Sequence, residues 1–206
     1  MSLKFALALF VIVDLAAALS IGLENPKNAV RSEWTRLVPM VIVGTALGAT
    51  LLINLPRTAG MLLLGVFVIG FALFTFVPQR RARVVSSAWA WIAGLAGGIT
   101  STMFGAGGPP YAIYLSGRGL TKEQFRATLG LATLTSISLR AIAFVITGLL
   151  LDPQVWLTAL AAVPACLAGI WVARKIYLRI SREQLMRAVA VLLLATGTSL
   201  IFRAVL

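Results

Sequence analysis

The chain has 206 residues, 60% hydrophobic and 12% charged, with a mean hydropathy of +0.97. A soluble globule carries roughly 45–50% apolar residues, so this chain belongs in lipid, and its apolar runs leave no room for a soluble domain. Its 18 Lys and Arg against 6 Asp and Glu fall between those runs, which excludes nucleic acid as a partner; with no His and a single Cys, Cys166, disulfide frameworks and His- or Cys-based metal sites are excluded within one chain, and no cofactor is implied.

In chain order, the hydropathy pattern predicts membrane spans at 4–23, 37–53, 58–77, 86–103, 125–149, 155–173 and 183–205. The first run is a span and not a signal peptide, because Asp14 interrupts its centre and further membrane segments follow it. Between the fourth and fifth spans, 104–116 holds Gly105, Gly107, Gly108, Pro109 and Pro110 and then an apolar stretch too short to cross. A helix that enters, breaks at the Gly/Pro cluster and returns as a half-helix to the side it came from accounts for 86–116, a re-entrant hairpin. Broken backbone at membrane depth is tolerated only where protein or a water-filled cavity covers it, so the break is a candidate site wall.

Charge then orients the chain. With the first residue outside and 86–116 re-entrant, the inner loops collect Lys27, Arg31, Arg36, Arg80, Arg81, Arg83, Arg118, Lys122, Arg126, Arg174, Lys175, Arg179 and Arg182, thirteen of the 18 basic residues. Lys4, Arg57 and Arg203 fall outside, and Arg140 and Arg187 within spans. A hairpin that crossed would flip every later loop and cancel the bias.

A shift of 125 residues aligns Pro39 with Pro164, Gly44 with Gly169, Leu55 with Ile180, Arg57 with Arg182 and Met61 with Met186. The fold class expected is therefore all-α: a polytopic membrane helix bundle of two inverted-topology repeats, 1–78 and 86–206, joined by a basic cytoplasmic loop at 79–85. Inverted repeats around discontinuous helices recur in secondary transporters, because they create two exchangeable accessibility states.

The run Gly94-Leu-Ala-Gly-Gly-Ile-Thr-Ser-Thr-Met-Phe-Gly-Ala-Gly-Gly-Pro-Pro-Tyr111 closely resembles the hairpin signature of the TauE/SafE sulfite exporter family. That resemblance implies two inverted halves, each opening with such a hairpin, and carriage of sulfite, sulfonates or related organosulfur anions across the cytoplasmic membrane. The chain departs from the pattern at its front: the repeat register sets the counterpart of 104–110 before Met1, so the first repeat is expected to lack its hairpin. Under that expectation a homo-oligomeric site, or a non-transporting scaffold or assembly subunit, is the alternative to transport. An enzyme is not expected, since of Asp14, Glu24, Glu33, Glu123, Asp152 and Glu183 five lie in loops or at span ends and no acidic pair converges.

The expected substrate wall is built from Gly105, Gly107 and Gly108, whose amides can approach an oxyanion closely, and from Pro109 and Pro110, which suit the start of the returning half-helix where the positive dipole end faces the anion. Their competing role is tight packing of the hairpin. Thr100, Ser101 and Thr102, and on the next span Thr133, Thr135, Ser136 and Ser138, either offer hydroxyls to the cavity or bond back to their own helices. Arg140 stands deep in its span, where an unpaired charge costs at least ~2.5 kcal/mol. Asp14 is the one acid equally deep, and the repeat shift sets it opposite Leu139, beside Arg140. An Asp14–Arg140 ion pair exchanged when an anion arrives is one expectation, a permanent structural pair or a snorkelling Arg140 the other. Trp34, Trp89, Trp91 and Trp156 read as interfacial anchors.

Overall fold

The computed structural model describes residues 3–22, 26–76 and 85–177 and the single positions 195, 198 and 199. Among these the regular structure is helical throughout: α1 (Leu3–Gly22), a 3-10 turn at Pro26–Asn28, α2 (Arg31–Asn54), α3 (Arg57–Phe76), α4 (Trp89–Phe104), α5 (Gly108–Ser116), α6 (Lys122–Ile146) and α7 (Pro153–Tyr177). The expected span 183–205 lies outside the described residues apart from 195, 198 and 199, as does the loop 79–85 apart from Val85. Among the described residues, three helices are long and apolar enough to cross a bilayer: α2, α6 and α7 over Pro153–Val172; α1 and α3 carry the shorter apolar segments Phe5–Leu19 and Thr58–Gly70. Leu157, Leu160, Ile146 and Val66 stand exposed, as side chains that face hydrocarbon should.

Several boundaries differ from the hydropathy pattern, each for a local reason. Helix α6 starts at Lys122, three residues early, because Thr121 and Gln124 close a capping box: the Gln124 amide donates to Thr121 Oγ1 (3.2 Å) and the Thr121 amide to Gln124 Oε1 (3.1 Å). Helix α7 starts at Pro153, behind Asp152, whose Oδ1 accepts from the Gln154 amide (2.9 Å). Helix α2 starts at Arg31, six residues before the expected 37, since Glu33 in its first turn is buried and neutralised by Arg118 at the foot of the hairpin. A polar stretch reads as loop only while nothing neutralises it.

Contacts divide the described chain into two compact units. The first draws on Met1–Leu51 and Ala82–Ile170, the second on Leu52–Arg81 and Trp171–Leu206. In the second, α3 is an apolar helix with Leu63, Val66 and Leu73 exposed. In the first, α2 and α4 touch backbone to backbone through Gly44-x-x-x-Gly48 and Gly94-x-x-x-Gly98. A Cβ on Gly98 would stand 2.6 Å from the Val41 carbonyl oxygen, one on Gly94 2.7 Å from that of Leu37, and one on Gly44 against the Leu95 carbonyl. Small residues four apart are how membrane helices gain van der Waals contact where no hydrophobic driving force separates them from lipid. Above this contact Leu37, Val41, Ala90, Ala93, Tyr111, Tyr114, Leu115 and Ala132 form the core, so the hairpin α4–α5 is held between α2 and α6.

Candidate functional site

The break between α4 and α5 is a helix C-terminus followed at once by a helix N-terminus. Gly105 ends α4 in the left-handed region (φ 71°), its amide donating to the Ser101 carbonyl (2.9 Å) and that of Ala106 to Thr100 (3.2 Å), so carbonyls of the last turn are satisfied. A residue with a Cβ is strained at such a φ, and here its Cβ would also stand 3.0 Å from Arg140 Nη1. Helix α5 then begins at Gly108 with Pro109 and Pro110 in its first turn, where missing amides leave no helix bond unmade. The hairpin closes at its foot: the Val85 amide donates to the Gly117 carbonyl (2.8 Å). Both ends of 86–116 therefore lie together, as a segment that enters and leaves on one side requires.

Arg140, 1% exposed, reaches the break from α6. Its Nη1 donates to the Ser101 carbonyl (2.8 Å) and its Nη2 to Asp14 Oδ2 on α1 (2.6 Å), while its buried Nε has no hydrogen-bond partner. The Asp14 side chain is 36% exposed and, with Gly105, lines an open cleft of about 400 Å³. The cleft's other wall is one face of α6, Arg126, Gly130, Thr133 and Ile137, at alternating spacings of four and three that continue to Arg140. Arg126 is exposed in the first turns of α6, about 21 Å along the axis from Arg140 at 1.5 Å per residue. Arg140 is thus one side chain behind the cleft wall, with Asp14 between it and the opening. The snorkelling expectation fails for Arg140, whose guanidinium is held inward.

The other sequence-derived residues divide. Gly105 and Thr133 line the cleft; Gly107, Gly108, Pro109, Pro110, Ser101 and Thr102 are not among its lining residues. A Cβ on Gly107 would press on Ser101 Cβ at 2.8 Å and the Gly97 carbonyl at 3.0 Å, so Gly107 lets the hairpin close, and one on Gly108 would meet nothing within 4 Å. Thr102 Oγ1 donates back to the Gly98 carbonyl (2.9 Å), and Thr100 Oγ1 to Ala96 (2.9 Å) and Ala106 (3.0 Å). Ser101 contributes its carbonyl to Arg140, in a bond that ties the guanidinium to the last turn of α4. Thr135 bonds back to Leu131 (2.8 Å) and Ser136 accepts from the Tyr111 hydroxyl (3.0 Å). Trp34 is not a free interfacial anchor: it is half-buried and its indole N–H donates to Thr135 Oγ1 (3.0 Å), since the early start of α2 carries it against α6. Trp89, Trp91 and Trp156 are exposed.

A second polar centre, at the foot of the hairpin, has no counterpart in the sequence reading. Glu33, 5% exposed, accepts from Arg118 Nη2 (2.8 Å), Arg36 Nη1 (3.1 Å) and the Tyr114 hydroxyl, and Arg118 Nη1 donates to the Val85 carbonyl (2.6 Å). The hydrogen bond to Glu33 holds the Arg118 guanidinium above its ordinary pKa. This joins α2 to both ends of the hairpin. The sequence signal available was an acid in the first turn of a helix, which alone suggests only a dipole contact. Removing one member of a buried pair costs roughly 3–5 kcal/mol; Arg118 is partly exposed, so Glu33→Ala is expected to cost about 3 kcal/mol and to lower the melting temperature in detergent by about 6 °C or more. Circular dichroism on heating reads this directly, and an unchanged melting curve would refute the joint.

Comparison with known proteins places the chain. The family model described as "Sulfite exporter TauE/SafE" matches residues 1–200. The chain is 24% identical over 193 residues to the probable inner membrane transporter protein TsaS of Comamonas testosteroni, covering 93% of this chain and 81% of that one. No solved structure matches.

Proposed function

The chain belongs to the TauE/SafE sulfite exporter family, and from this membership, which makes it a multi-pass membrane transport protein and not an enzyme, we propose that it is a secondary transporter exporting sulfite or a related small organosulfur anion across the cytoplasmic membrane. The observation that carries the reading is the Arg140 guanidinium: a buried cation with an unpartnered Nε, set behind a cleft at a helix break. A cleft of about 400 Å³ is at the small end of ligand sites, which run roughly 300–1,000 Å³. Arg126 at its rim favours entry of anions, and an anion that takes Asp14's place on Arg140 acquires two charge-assisted donors in a fork. An inside-negative potential drives such an anion outward.

Alternation between two open states rests on the inverted repeats 1–78 and 86–206. What supports them is the register of 125 residues, which sets Pro39, inside α2, against Pro164, inside α7, and Gly44 against Gly169 on the same two helices.

The test is efflux of radiolabelled sulfite, compared in inverted and right-side-out vesicles, with saturation as the sign of a carrier. Gly105→Ala imposes about 1–2 kcal/mol of backbone strain and pushes its Cβ towards Arg140, so it is expected to slow flux at least tenfold. Gly169→Ala, in α7 with nothing within 4 Å of the new carbon, is expected to leave flux within twofold. Parental flux from Gly105→Ala would separate the break from transport.

A further inference from the structure

We propose that Asp14 carries the coupling proton: an anion that reaches Arg140 does so together with one proton taken up by the Asp14 carboxylate, and anion and proton then move in the same direction. This deepens the transporter reading and rests on it.

The argument is one of charge and of access. Among the described residues, the cleft ends at one buried cation, Arg140, neutralised by one acid, Asp14, at 2.6 Å. Of the guanidinium's five N–H groups, one on Nη1 is held by the Ser101 carbonyl and one on Nη2 by Asp14, while that of Nε has no hydrogen-bond partner. Asp14 and Gly105 line the cleft and Arg140 lies behind them, so an anion gains the guanidinium only where Asp14 sits. An anion beside an ionised Asp14 would set two negative charges against one buried guanidinium, and like charges at that separation disfavour one another. One proton on Asp14 restores neutrality.

The groups facing Asp14 point the same way. From α6 it meets Arg140 and, along the cleft, Arg126; from the α4–α5 break it meets Gly105, which has nothing to titrate; on α1 itself, the nearest charged residue is Lys4, ten residues earlier. Among the described residues no second acid lines the cleft to take the proton instead. Asp14 is 36% exposed, so cleft water reaches it. In the step itself, a proton from that water adds to a carboxylate oxygen and the Nη2–H bond passes from Oδ2 to an anion oxygen. The neutral acid is left able to donate its own O–H to the anion. Release on the far side reverses each of these, the proton leaving with the anion and Oδ2 regaining Nη2. Nothing is oxidised or reduced.

A singly charged anion carried with one proton moves no net charge, whereas a doubly charged one still carries one negative charge that an inside-negative potential pushes outward. The experiment uses the full chain in proteoliposomes with a trapped pH dye and two probes: sulfite, and methanesulfonate, whose single charge does not change with pH. The expected result is one proton per methanesulfonate, apparent affinity tightening by up to about tenfold per unit fall in pH, the slope that uptake of one proton sets, and flux indifferent to an imposed potential. Asp14→Asn is expected to convert this to flux that moves no protons, is insensitive to pH and responds to potential. If that variant does not insert, the proton count on the parental protein decides alone. Methanesulfonate flux without protons and driven by potential overturns the proposal and leaves the transporter reading standing. If sulfite alone is carried, the count is made at alkaline pH, where sulfite is a dianion, and zero protons overturns the proposal again. No flux of either probe from inserted protein overturns the transporter reading itself.

Discussion

Arg140→Gln is expected to insert normally and to lose at least a hundredfold in sulfite flux. Two charge-assisted hydrogen bonds leave with the guanidinium, each worth about 1.5–3 kcal/mol, and with them the buried cation at the cleft. Asp14 is left behind half-exposed on the cleft, where water can solvate it, so the fold survives the substitution. The converse change is harsher on the fold, because a buried guanidinium has no such refuge. Arg140→Lys is expected to recover less than a tenth of parental flux: a point charge does not hold the Ser101 carbonyl and a second oxygen at fixed angles. Radiolabelled efflux from inverted vesicles, normalised to inserted protein, measures both, and parental flux from Arg140→Gln would remove the site from the mechanism.

The largest effect on folding is expected from Gly98→Leu. The new Cβ would stand 2.6 Å from the Val41 carbonyl oxygen and 2.9 Å from the Thr45 amide nitrogen, and both are helix backbone that side-chain rotation does not relieve. The two helices must part, which forfeits the contacts of Gly44, Gly48 and Gly94 at once, so the cost lies at or beyond the ~3 kcal/mol upper range of overpacking. The outcome expected is little or no monodisperse protein on gel filtration in detergent, with Gly98→Ala intermediate. A parental elution profile from Gly98→Leu would show that α2 and α4 do not meet through these glycines.

How far the sequence revealed this molecule depended on range. The membrane class and the hairpin were legible because apolar length and the Gly/Pro cluster are local signals that lipid leaves little freedom to override. Asp14 and Arg140 were legible as partners because they are the ionisable groups deepest in their spans, and buried charge seeks its opposite. Glu33 was not, since what neutralises it is Arg118, 85 positions away, and without that partner the stretch 31–36 has the composition of a loop. The contact through Gly44, Gly48, Gly94 and Gly98 was not read from the sequence, and small residues four apart do not by themselves say which helix they meet. The glycines of the break were ambiguous for another reason: an amide free for a ligand and a Cα free of clash call for the same residue. Only coordinates separate Gly105, at the cleft, from Gly107, packed under Ser101.

The hydrogen bond between Val85 and Gly117 has a consequence for how such a protein is assembled and altered. Because the two feet of 86–116 are in contact, the segment is an excursion that begins and ends at one point on the chain's path. Removing it would leave ends already close enough to join by a short splice, and every helix after it would keep its direction. The hairpin is therefore an insert that orientation does not depend on. Lengthening or deleting it is expected to alter what α1 and α6 enclose and to leave the path of the chain on either side of it in place.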